Sequence, residues 1–222
     1  MKKLPLIAAL FFLALVLAPR VSSSQTPVFN FTPIPAGDVQ QGWPGNLASL
    51  FTVTGSTITI SDLGIFNQSG TGYITGTVEV ALFNVGTGLQ VGQTVTFGPA
   101  TQYTAQGYAV YQAITPVTLG PGNYAVDAVG FSAADTNANT GFGEPGPGFN
   151  TFGGVLSFPT PGSLYDYNTA LDLASISDTH IYEAGTFEVP EGGAAWLYLL
   201  LAGAVCFGAM AFGSRNRLGS YA

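Results

Sequence analysis

Residues 78–83 read Val-Glu-Val-Ala-Leu-Phe, and this stretch decides the fold class. Every second side chain along it is aliphatic, so that one face is continuously apolar, as in a half-buried β-strand. The stretch 123–127, Asn-Tyr-Ala-Val-Asp, alternates in the same way and places Asp127 on the face opposite Tyr124. No helical period is sustained over a useful length between residues 25 and 189. The central segment therefore predicts an all-β fold.

Short β-branched or aromatic runs, separated by turns rich in Gly, Pro and Asn, continue outward from this stretch. About eight such strands are typical of a single β-sandwich or jelly-roll-like domain, which we predict over residues 25–188. A polar excursion at 132–161 is longer than ordinary connections. The predicted strands cover residues 47–53, 56–66, 76–83, 94–97, 109–119, 123–131, 154–158 and 181–189.

The distribution of charge excludes several classes of function. The chain of 222 residues has 5 Lys and Arg and 12 Asp and Glu, and all the basic residues are terminal. Residues 25–191 hold no Lys or Arg but all 12 acidic residues. Nucleic-acid binding needs cations that displace phosphate counterions, so we expect no nucleic-acid partner. Phosphate cradles that need a Lys and Schiff-base chemistry are excluded for the same reason.

Residue types that serve covalent catalysis are scarce. The only cysteine, Cys206, lies in an apolar run, and the only histidine, His180, is predicted on the solvent side of a strand. The sequence has no Gly-x-Ser-x-Gly motif for a hydrolytic triad. We therefore predict that the protein is not an enzyme.

Paired carboxylates leave one catalytic alternative open, because glycoside hydrolysis needs only two acidic groups about 5–9 Å apart. The sequence does not show which acids pair, and the other interpretation is that they simply keep the domain soluble. The candidates for such a pair are Glu79, Asp127, Asp166, Asp172 and Glu183.

One acidic stretch has a spacing that suits a hard cation. Asp135, Asn137 and Asn139 place side-chain oxygens at alternate positions, and Glu144 follows. A domain with so many negative charges and no positive ones attracts Ca²⁺. The stretch is not an EF-hand loop, because its glycine and glutamate stand at other positions. We predict a candidate calcium loop here and no other cofactor, the alternative being an ordinary polar turn.

Three aromatic residues are candidates for a glycan-binding platform. Trp43, Tyr165 and Tyr167 have rings that could stack on sugar rings. The alternative is that they are ordinary turn and core aromatics.

The first 24 residues have the parts of a secretory signal peptide. Lys2 and Lys3 precede an apolar run at 4–18, and small residues follow before Gln25. We predict export by the Sec machinery, with cleavage between Ser24 and Gln25.

The C-terminal segment predicts one membrane span after the ectodomain. Residues 194–212 carry no charge, and a helix of this length covers about 28 Å, close to the hydrocarbon thickness of a bilayer. Arg215 and Arg217 follow in the tail 213–222, which keeps that end of the span cytoplasmic. The acidic middle of the chain then lies outside the membrane.

Val189, Pro190, Glu191 and Gly192 precede this span and its basic tail. Over residues 189–217 the order of motif, span and basic end resembles the PEP-CTERM class of bacterial sorting signals, with the motif itself at 189–193. The resemblance implies that a membrane-embedded exosortase recognises and removes the tail, and that an exopolysaccharide is a candidate partner. The commonest form of the motif reads Val-Pro-Glu-Pro, and Gly192 replaces its last proline. A plain single-span anchor is the alternative.

Part of the middle also resembles the β-sandwich domain of unknown function that often precedes such tails. The phrases that carry this resemblance are residues 51–55, 58–66, 80–83 and 117–124. We therefore expect an exported bacterial protein, first anchored in the inner membrane and then placed in the cell envelope, surface or extracellular matrix. Its expected role is structural and non-catalytic. The alternative is a membrane-anchored adhesion module that binds glycan or Ca²⁺.

Overall fold

A computed structural model describes residues 25–31, 40–99, 101–140, 148–159, 162–178 and 180–190. These residues form an all-β structure without a helix, as the alternating pattern predicted. No described segment is therefore a helix that could cross a bilayer. The predicted signal peptide at 1–24 and the predicted span at 194–212 lie outside the described residues. Gln25–Pro190 make up one compact unit.

The described residues contain 17 strands, numbered here in chain order. They are β1 Gln25–Pro27, β2 Phe29–Asn30, β3 Gln40–Gln41, β4 Leu47–Val53, β5 Ile58–Phe66, β6 Val78–Asn84, β7 Leu89–Phe97, β8 Thr104–Gln106, β9 Ala109–Leu119, β10 Gly122–Val129, β11 Asn137–Thr140, β12 Gly148–Phe149, β13 Leu156–Ser157, β14 Ser163–Tyr165, β15 Ile176–Asp178, β16 Ile181–Glu183 and β17 Gly185–Pro190.

Two main sheets organise these strands. The first sheet has the order β1-β17-β5-β9-β8, and the second sheet has the order β15-β14-β4-β10-β6-β7, with β13 also paired to β4. Smaller sheets are β16-β11-β3 and β12-β2. The pairs within the two main sheets are antiparallel. Antiparallel neighbours accept the short, turn-rich connections that the sequence contains.

The inner faces of the two main sheets share one hydrophobic core. Phe187 on β17 and Phe51 on β4 meet with their ring centroids 4.8 Å apart. A Cβ atom at Gly185 would lie 3.0 Å from Cγ2 of Val126 on β10, so the two sheets approach each other closely there. This packing is consistent with the predicted β-sandwich.

Most predicted strands agree with the structure, and two of them, 47–53 and 109–119, have the predicted bounds. The excursion at 132–161 contains β13 within the predicted strand 154–158, but it differs from the prediction because it also contains β11 and β12. Strand β11 reads Asn-Ala-Asn-Thr, which lacks the apolar alternation of a half-buried strand. Strand β11 pairs with β16 and β3, and the pattern of residue types does not indicate this pairing.

The last strand includes the start of the predicted sorting motif. Val189 pairs with Thr26, and Pro190 pairs with Gln25. Proline is tolerated there because it ends the strand. The other predicted sorting residues, Glu191, Gly192, Arg215 and Arg217, lie outside the described residues.

Candidate functional site

The connection between β14 and β15 covers the outer face of the second sheet. Ala48, Ala125 and Ala174 form a small buried cluster between this connection and the sheet. Their side chains are short, so the connection lies close to the strands. Alternation along β10 places Asp127 on this outer face, because its neighbour Val126 contacts the inner face of the first sheet.

Asn46, just before β4, is fully buried beneath this connection. Its side-chain nitrogen, Nδ2, is surrounded by four oxygen atoms from residues 166–172, which we call the 166–172 loop. The distances from Nδ2 are 2.8 Å to Asp172 Oδ1, 2.9 Å to Ala170 O, 3.1 Å to Asp166 Oδ1 and 3.1 Å to Asn168 O. The oxygens come from every second residue, so one side of the loop points at Asn46.

Local hydrogen bonds shape this loop. Asp166 Oδ1 accepts the backbone amide of Asn168 at 2.9 Å, and Asn168 Oδ1 accepts that of Ala170 at 3.1 Å. These are the turns that Asp and Asn favour, two residues apart. Asn168 Nδ2 also donates to Asp172 Oδ2 at 2.6 Å. The loop is therefore closed by its own side chains.

Gly45 fixes how the loop meets the sheet. A Cβ atom at this position would lie 2.2 Å from the carbonyl oxygen of Asp166 and 2.8 Å from Nε1 of Trp43. The indole nitrogen of Trp43 donates to the same carbonyl at 3.0 Å. A side chain at residue 45 would thus displace the first residue of the loop.

Asp127 lies beneath the same connection and is completely buried. Its Oδ2 accepts the backbone amide of Ala174 at 2.8 Å, whereas Oδ1 has no hydrogen-bond partner among the described residues. Burial raises the pKa of Asp127 well above its ordinary range, and the backbone amides of Ala174 and Ala128 oppose this rise only in part. The charges of Asp166 and Asp172 raise the pKa further. The carboxyl group therefore faces a negatively charged loop.

The structure brings together the three aromatic residues named from the sequence, which we call the aromatic cluster. The ring centroids of Trp43 and Tyr167 are 5.0 Å apart, those of Trp43 and Tyr165 are 6.1 Å apart, and those of the two tyrosines are 6.0 Å apart. Tyr167 is 71% exposed, although its neighbours in sequence help to surround Asn46. The cluster thus presents an open aromatic surface on the 166–172 loop.

The predicted calcium loop near residue 135 is built differently. The carboxylate of Asp135 accepts the backbone amides of Thr75 and Gly76 with its two oxygens. Asn137 is buried and accepts the backbone amide of Trp43 at 3.2 Å. These two side chains contact different parts of the chain.

Asn139 lies in β11, opposite Tyr182, and Glu144 lies outside the described residues. The calcium loop at 135–144 therefore stays a prediction. Within the described segments, no group of three or more His, Cys, Asp or Glu side chains is arranged to hold a metal ion. Two of the four inward oxygens of the 166–172 loop belong to the backbone and two to side chains.

The sequence predicts His180 on a strand, but the structure places it in the bend between β15 and β16. Its Nδ1 is 2.7 Å from Oδ1 of Asp178, and the hydroxyl of Tyr182 donates to Oδ2 of the same carboxylate. Burial raises the pKa of Asp178, but the hydrogen bonds from Tyr182 and His180 outweigh it and lower that pKa to about 2. Polar contacts therefore anchor this bend.

Three of the five candidate carboxylates lie together. Asp127, Asp166 and Asp172 interact at the outer face of the second sheet, whereas Glu79 lies on β6 and Glu183 on β16. Asp127 and Glu183 are both 0% exposed, so neither has the solubilising role that the sequence suggested for the acids. Strand alternation placed Asp127 on an outer face but did not show that a connection covers it.

Two clefts at the surface are lined by no titratable side chain among the described residues. One has a volume of about 440 Å³ and is largely aromatic, with Phe29, Phe149 and Phe158 in its walls. The other, of about 520 Å³, lies beside Thr26 and Asn150. Neither offers an acid or base for catalysis from these residues.

Sequence reasoning named Asp166 and Asp172 as carboxylates but did not identify them as neighbours of Asn46. The available signal was the stretch Asp-Tyr-Asn-Thr-Ala-Leu-Asp, which repeats an oxygen-bearing side chain at every second position apart from Ala170. The side-chain types do not indicate that the backbone carbonyl of Ala170 is one of the oxygens around Asn46. Comparison with protein-family models and with curated proteins gave no match for this chain.

Proposed function

We propose that this protein is exported by the Sec machinery, sorted to the bacterial cell envelope or extracellular matrix through a PEP-CTERM-type signal, and acts there as a non-catalytic glycan-binding module. In this proposal a jelly-roll-like sandwich precedes one C-terminal membrane helix, and an exosortase processes the tail. The host exopolysaccharide is the expected ligand. The observation that carries the binding role is the aromatic cluster.

The aromatic cluster has the chemistry that a sugar surface needs. Tyr167 and Trp43 offer flat apolar faces with a hydroxyl or an indole N–H at the edge. Exposed polar residues of the same loop, Asn168 and Asp172, lie beside these rings and can form hydrogen bonds with hydroxyl groups. Binding of this kind requires no Lys or Arg, which agrees with the composition of residues 25–191.

The strand pairing at the two ends of the domain supports export and sorting. Gln25 would be the first residue after signal-peptide cleavage, and Pro190 the residue before cleavage within the sorting motif. The two are register partners at the edge of the first sheet. Cleavage on both sides would leave β1 and β17 complete, so neither step would remove a strand from the domain.

The state of the acidic groups supports a non-catalytic role. Asp127 is buried against the sheet, and Asp166 and Asp172 are engaged within the loop. A glycosidase needs one carboxyl group as acid and another as base or nucleophile, both facing the sugar. The buried position of Asp127 does not fit that arrangement.

Glycan binding can be tested by replacing the exposed ring of the aromatic cluster. We expect Tyr167→Ala to weaken binding of the full chain to the host exopolysaccharide, or to responsive glycans on an array, by about tenfold, because an exposed stacking contact is lost. Tyr73→Ala is the matched control, since Tyr73 is 53% exposed and is not part of the cluster. Equal effects of the two substitutions would contradict the proposed surface.

Sorting can be tested by the intact mass of the protein recovered from its native host. A mass that begins at Gln25 and ends near Pro190–Glu191 supports processing at both ends. A mass that extends through Ala222 would contradict removal of the tail and leave a single-span anchored protein.

A further inference from the structure

The surroundings of Asn46 contain more acceptors than its amide can serve. A side-chain amide nitrogen carries two hydrogens, yet four oxygens lie within 3.1 Å of Nδ2. At least two of these oxygens therefore face the site without a proton between them and the nitrogen. The assignment of N and O in an amide follows from its partners, so the reverse orientation would add a fifth oxygen to the same place. Either arrangement leaves a cluster of oxygens that a positive charge would stabilise.

The buried carboxylate of Asp127 makes an independent demand for positive charge. Its Oδ1 has no partner among the described residues, and the side chain is 0% exposed. It lies beneath the same connection, since its other oxygen accepts the amide of Ala174, two residues after the loop. An unpaired buried carboxylate is costly. No Lys or Arg occurs between Arg20 and Arg215, so the domain's own sequence supplies no cationic partner.

We propose that the 166–172 loop, together with Asn46 and Asp127, binds one Ca²⁺ ion. The four inward oxygens of Asp166, Asn168, Ala170 and Asp172 are the loop ligands. Asn46 moves its amide nitrogen out of the centre of the loop and turns its amide oxygen, which otherwise accepts the backbone amide of Asp172, toward the ion, while Asp127 supplies negative charge from below. This inference goes beyond the proposed function and does not depend on it, since Ca²⁺ binding is measured without any glycan.

The donor set and its size favour Ca²⁺ over other common ions. All the candidate ligands are oxygens, and two are backbone carbonyls, which suit a hard cation that takes six to eight ligands at about 2.3–2.6 Å. The four loop oxygens lie 2.8–3.1 Å from the side-chain nitrogen of Asn46, so once this amide moves aside they need to close by only a few tenths of an ångström around an ion in its place. Mg²⁺ would require oxygens at about 2.0–2.1 Å and retains several waters. The site has no sulfur or imidazole ligand for zinc.

Calcium at this place would also organise the aromatic cluster. Tyr167 stands between Asp166 and Asn168, and Trp43 donates to the carbonyl of Asp166. Binding of an ion to these two loop residues fixes the backbone on both sides of the exposed ring. We therefore expect the mobility of Tyr167 to fall when the ion binds.

Calorimetric titration of the full chain with CaCl₂ at pH 7 tests the proposal. We expect one saturable site, together with a rise in melting temperature that EDTA reverses. Asp166→Asn and Asp172→Asn should each raise the Kd for Ca²⁺ at least tenfold, because each removes a charged ligand without changing its shape. Glu79→Gln is the matched control, since it removes one negative charge on β6 and should leave the Kd unchanged.

Three outcomes would overturn the proposal. The first is that the full chain shows no saturable Ca²⁺ binding, and the second is that it responds equally to MgCl₂. The third is that Asp135→Asn raises the Kd for Ca²⁺ whereas Asp166→Asn and Asp172→Asn do not. The last result would place the ion at the calcium loop predicted from the sequence.

Terbium luminescence keeps the test decisive if the loop variants fail to fold. Tb³⁺ replaces Ca²⁺ and is excited through a nearby indole, and Trp43 contacts the first residue of the loop. We expect sensitised Tb³⁺ emission that is lost when Ca²⁺ displaces the Tb³⁺ ion. Trp43→Phe should reduce this emission at least fivefold. When only indole is excited, so that Tyr165 and Tyr167 do not contribute, emission that Trp43→Phe leaves unchanged would place the ion elsewhere and contradict the proposal.

Discussion

Acidic side chains lie at the outer faces of both main sheets, but their surroundings differ. On the second sheet, the carboxylates of Asp166 and Asp172 share their site with two backbone carbonyls and the amide of Asn46. On the first sheet, Asp62 and Glu188 stand directly opposite each other on β5 and β17. We call these two residues the carboxyl pair. The site at the second sheet is built from oxygens of a loop, whereas the carboxyl pair at the first sheet consists of two side chains on regular strands.

The carboxyl pair is buried with few donors around it. Asp62 is 6% exposed and accepts a hydrogen bond from Nε2 of Gln25, while Glu188 is 2% exposed. Oε1 of Glu188 has no hydrogen-bond partner within the described parts of the chain. Burial raises the pKa of Glu188, and the neighbouring charge of Asp62 contributes, to give a value of about 7. Near neutral pH this group therefore holds a proton part of the time.

The comparison teaches how a chain without internal Lys or Arg can relieve buried negative charge. Carboxylates can bind protons, whereas backbone carbonyls cannot do so in this pH range. The carboxyl pair can therefore be neutralised by one proton that Glu188 takes up. In the 166–172 loop, two of the four converging oxygens are backbone carbonyls, which take up no proton, so a bound metal ion is the source of positive charge that we propose there.

The largest expected effect comes from filling the space at Gly45. In Gly45→Ala the new Cβ would lie 2.2 Å from the carbonyl oxygen of Asp166, so the loop must move. We expect a loss of about 3 kcal/mol in the free energy of unfolding. We also expect the Ca²⁺-dependent rise in melting temperature to disappear. Denaturant unfolding with and without Ca²⁺ measures both.

Gly55→Ala is the matched control, because a Cβ atom there meets nothing within 4 Å. It should change the free energy of unfolding by less than about 0.5 kcal/mol and keep the response to Ca²⁺. If Gly45→Ala behaved like this control, the close contact between residue 45 and the loop would not be needed for the site.

A smaller effect should appear in the carboxyl pair, where it depends on pH. The folded-state pKa of Glu188, about 7, lies above its usual 4.5, so the folded chain holds this proton more tightly. Its contribution to the free energy of unfolding is therefore complete below about pH 4.5 and is lost as the pH rises through about 7. Glu188→Gln cannot ionise. It should be more stable than the wild type at pH 8 by about 2 kcal/mol, a figure that allows for solvent screening.

Urea unfolding of both chains at pH 5 and pH 8 isolates this contribution, since all other titrating groups are shared. The two chains should differ little at pH 5. Glu79→Gln provides the control, because Glu79 lies on β6 and should not change the slope between the two pH values. A Glu188→Gln chain that followed the wild-type slope would mean that Glu188 ionises at its usual pH.

The fold was largely predictable because its main strands carry a local signal. Strands β4 and β9 have the predicted bounds, because the alternating residues that indicate each strand and the turn residues that end it lie within a few positions of each other. Strands β3, β11 and β15 escaped prediction because they are short and lack the apolar alternation of the main strands. In β11, pairing with β16 and β3 is supported by a hydrogen bond to the side chain of Asn137 and by the buried Ala138, and an alternation pattern indicates neither.

The candidate site was predictable only in parts. The aromatic residues Trp43, Tyr165 and Tyr167 could be named from their chemistry, but their meeting depends on the path of β14 beside β4. The role of Asn46 could not be predicted, because it rests on contacts with residues about 120 positions away. The burial of Glu188 was also hidden, since an acid in an alternating strand normally marks a solvent-facing side.

The smallest expected effect concerns the donor that serves the carboxyl pair. Nε2 of Gln25 donates to Asp62, and Gln25→Leu would remove that donor from a buried carboxylate. We expect a loss of about 1 kcal/mol in the free energy of unfolding at pH 8. Gln90→Leu is the control, because Gln90 is exposed and its side-chain amide donates to the nearby Gly92 and Thr94. A neutral result for Gln25→Leu at pH 8 would show that the pair depends on its proton alone. A loss of the expected size would show that the first sheet stabilises its buried charge with a donor as well as a proton, in contrast to the metal ion that we propose for the 166–172 loop.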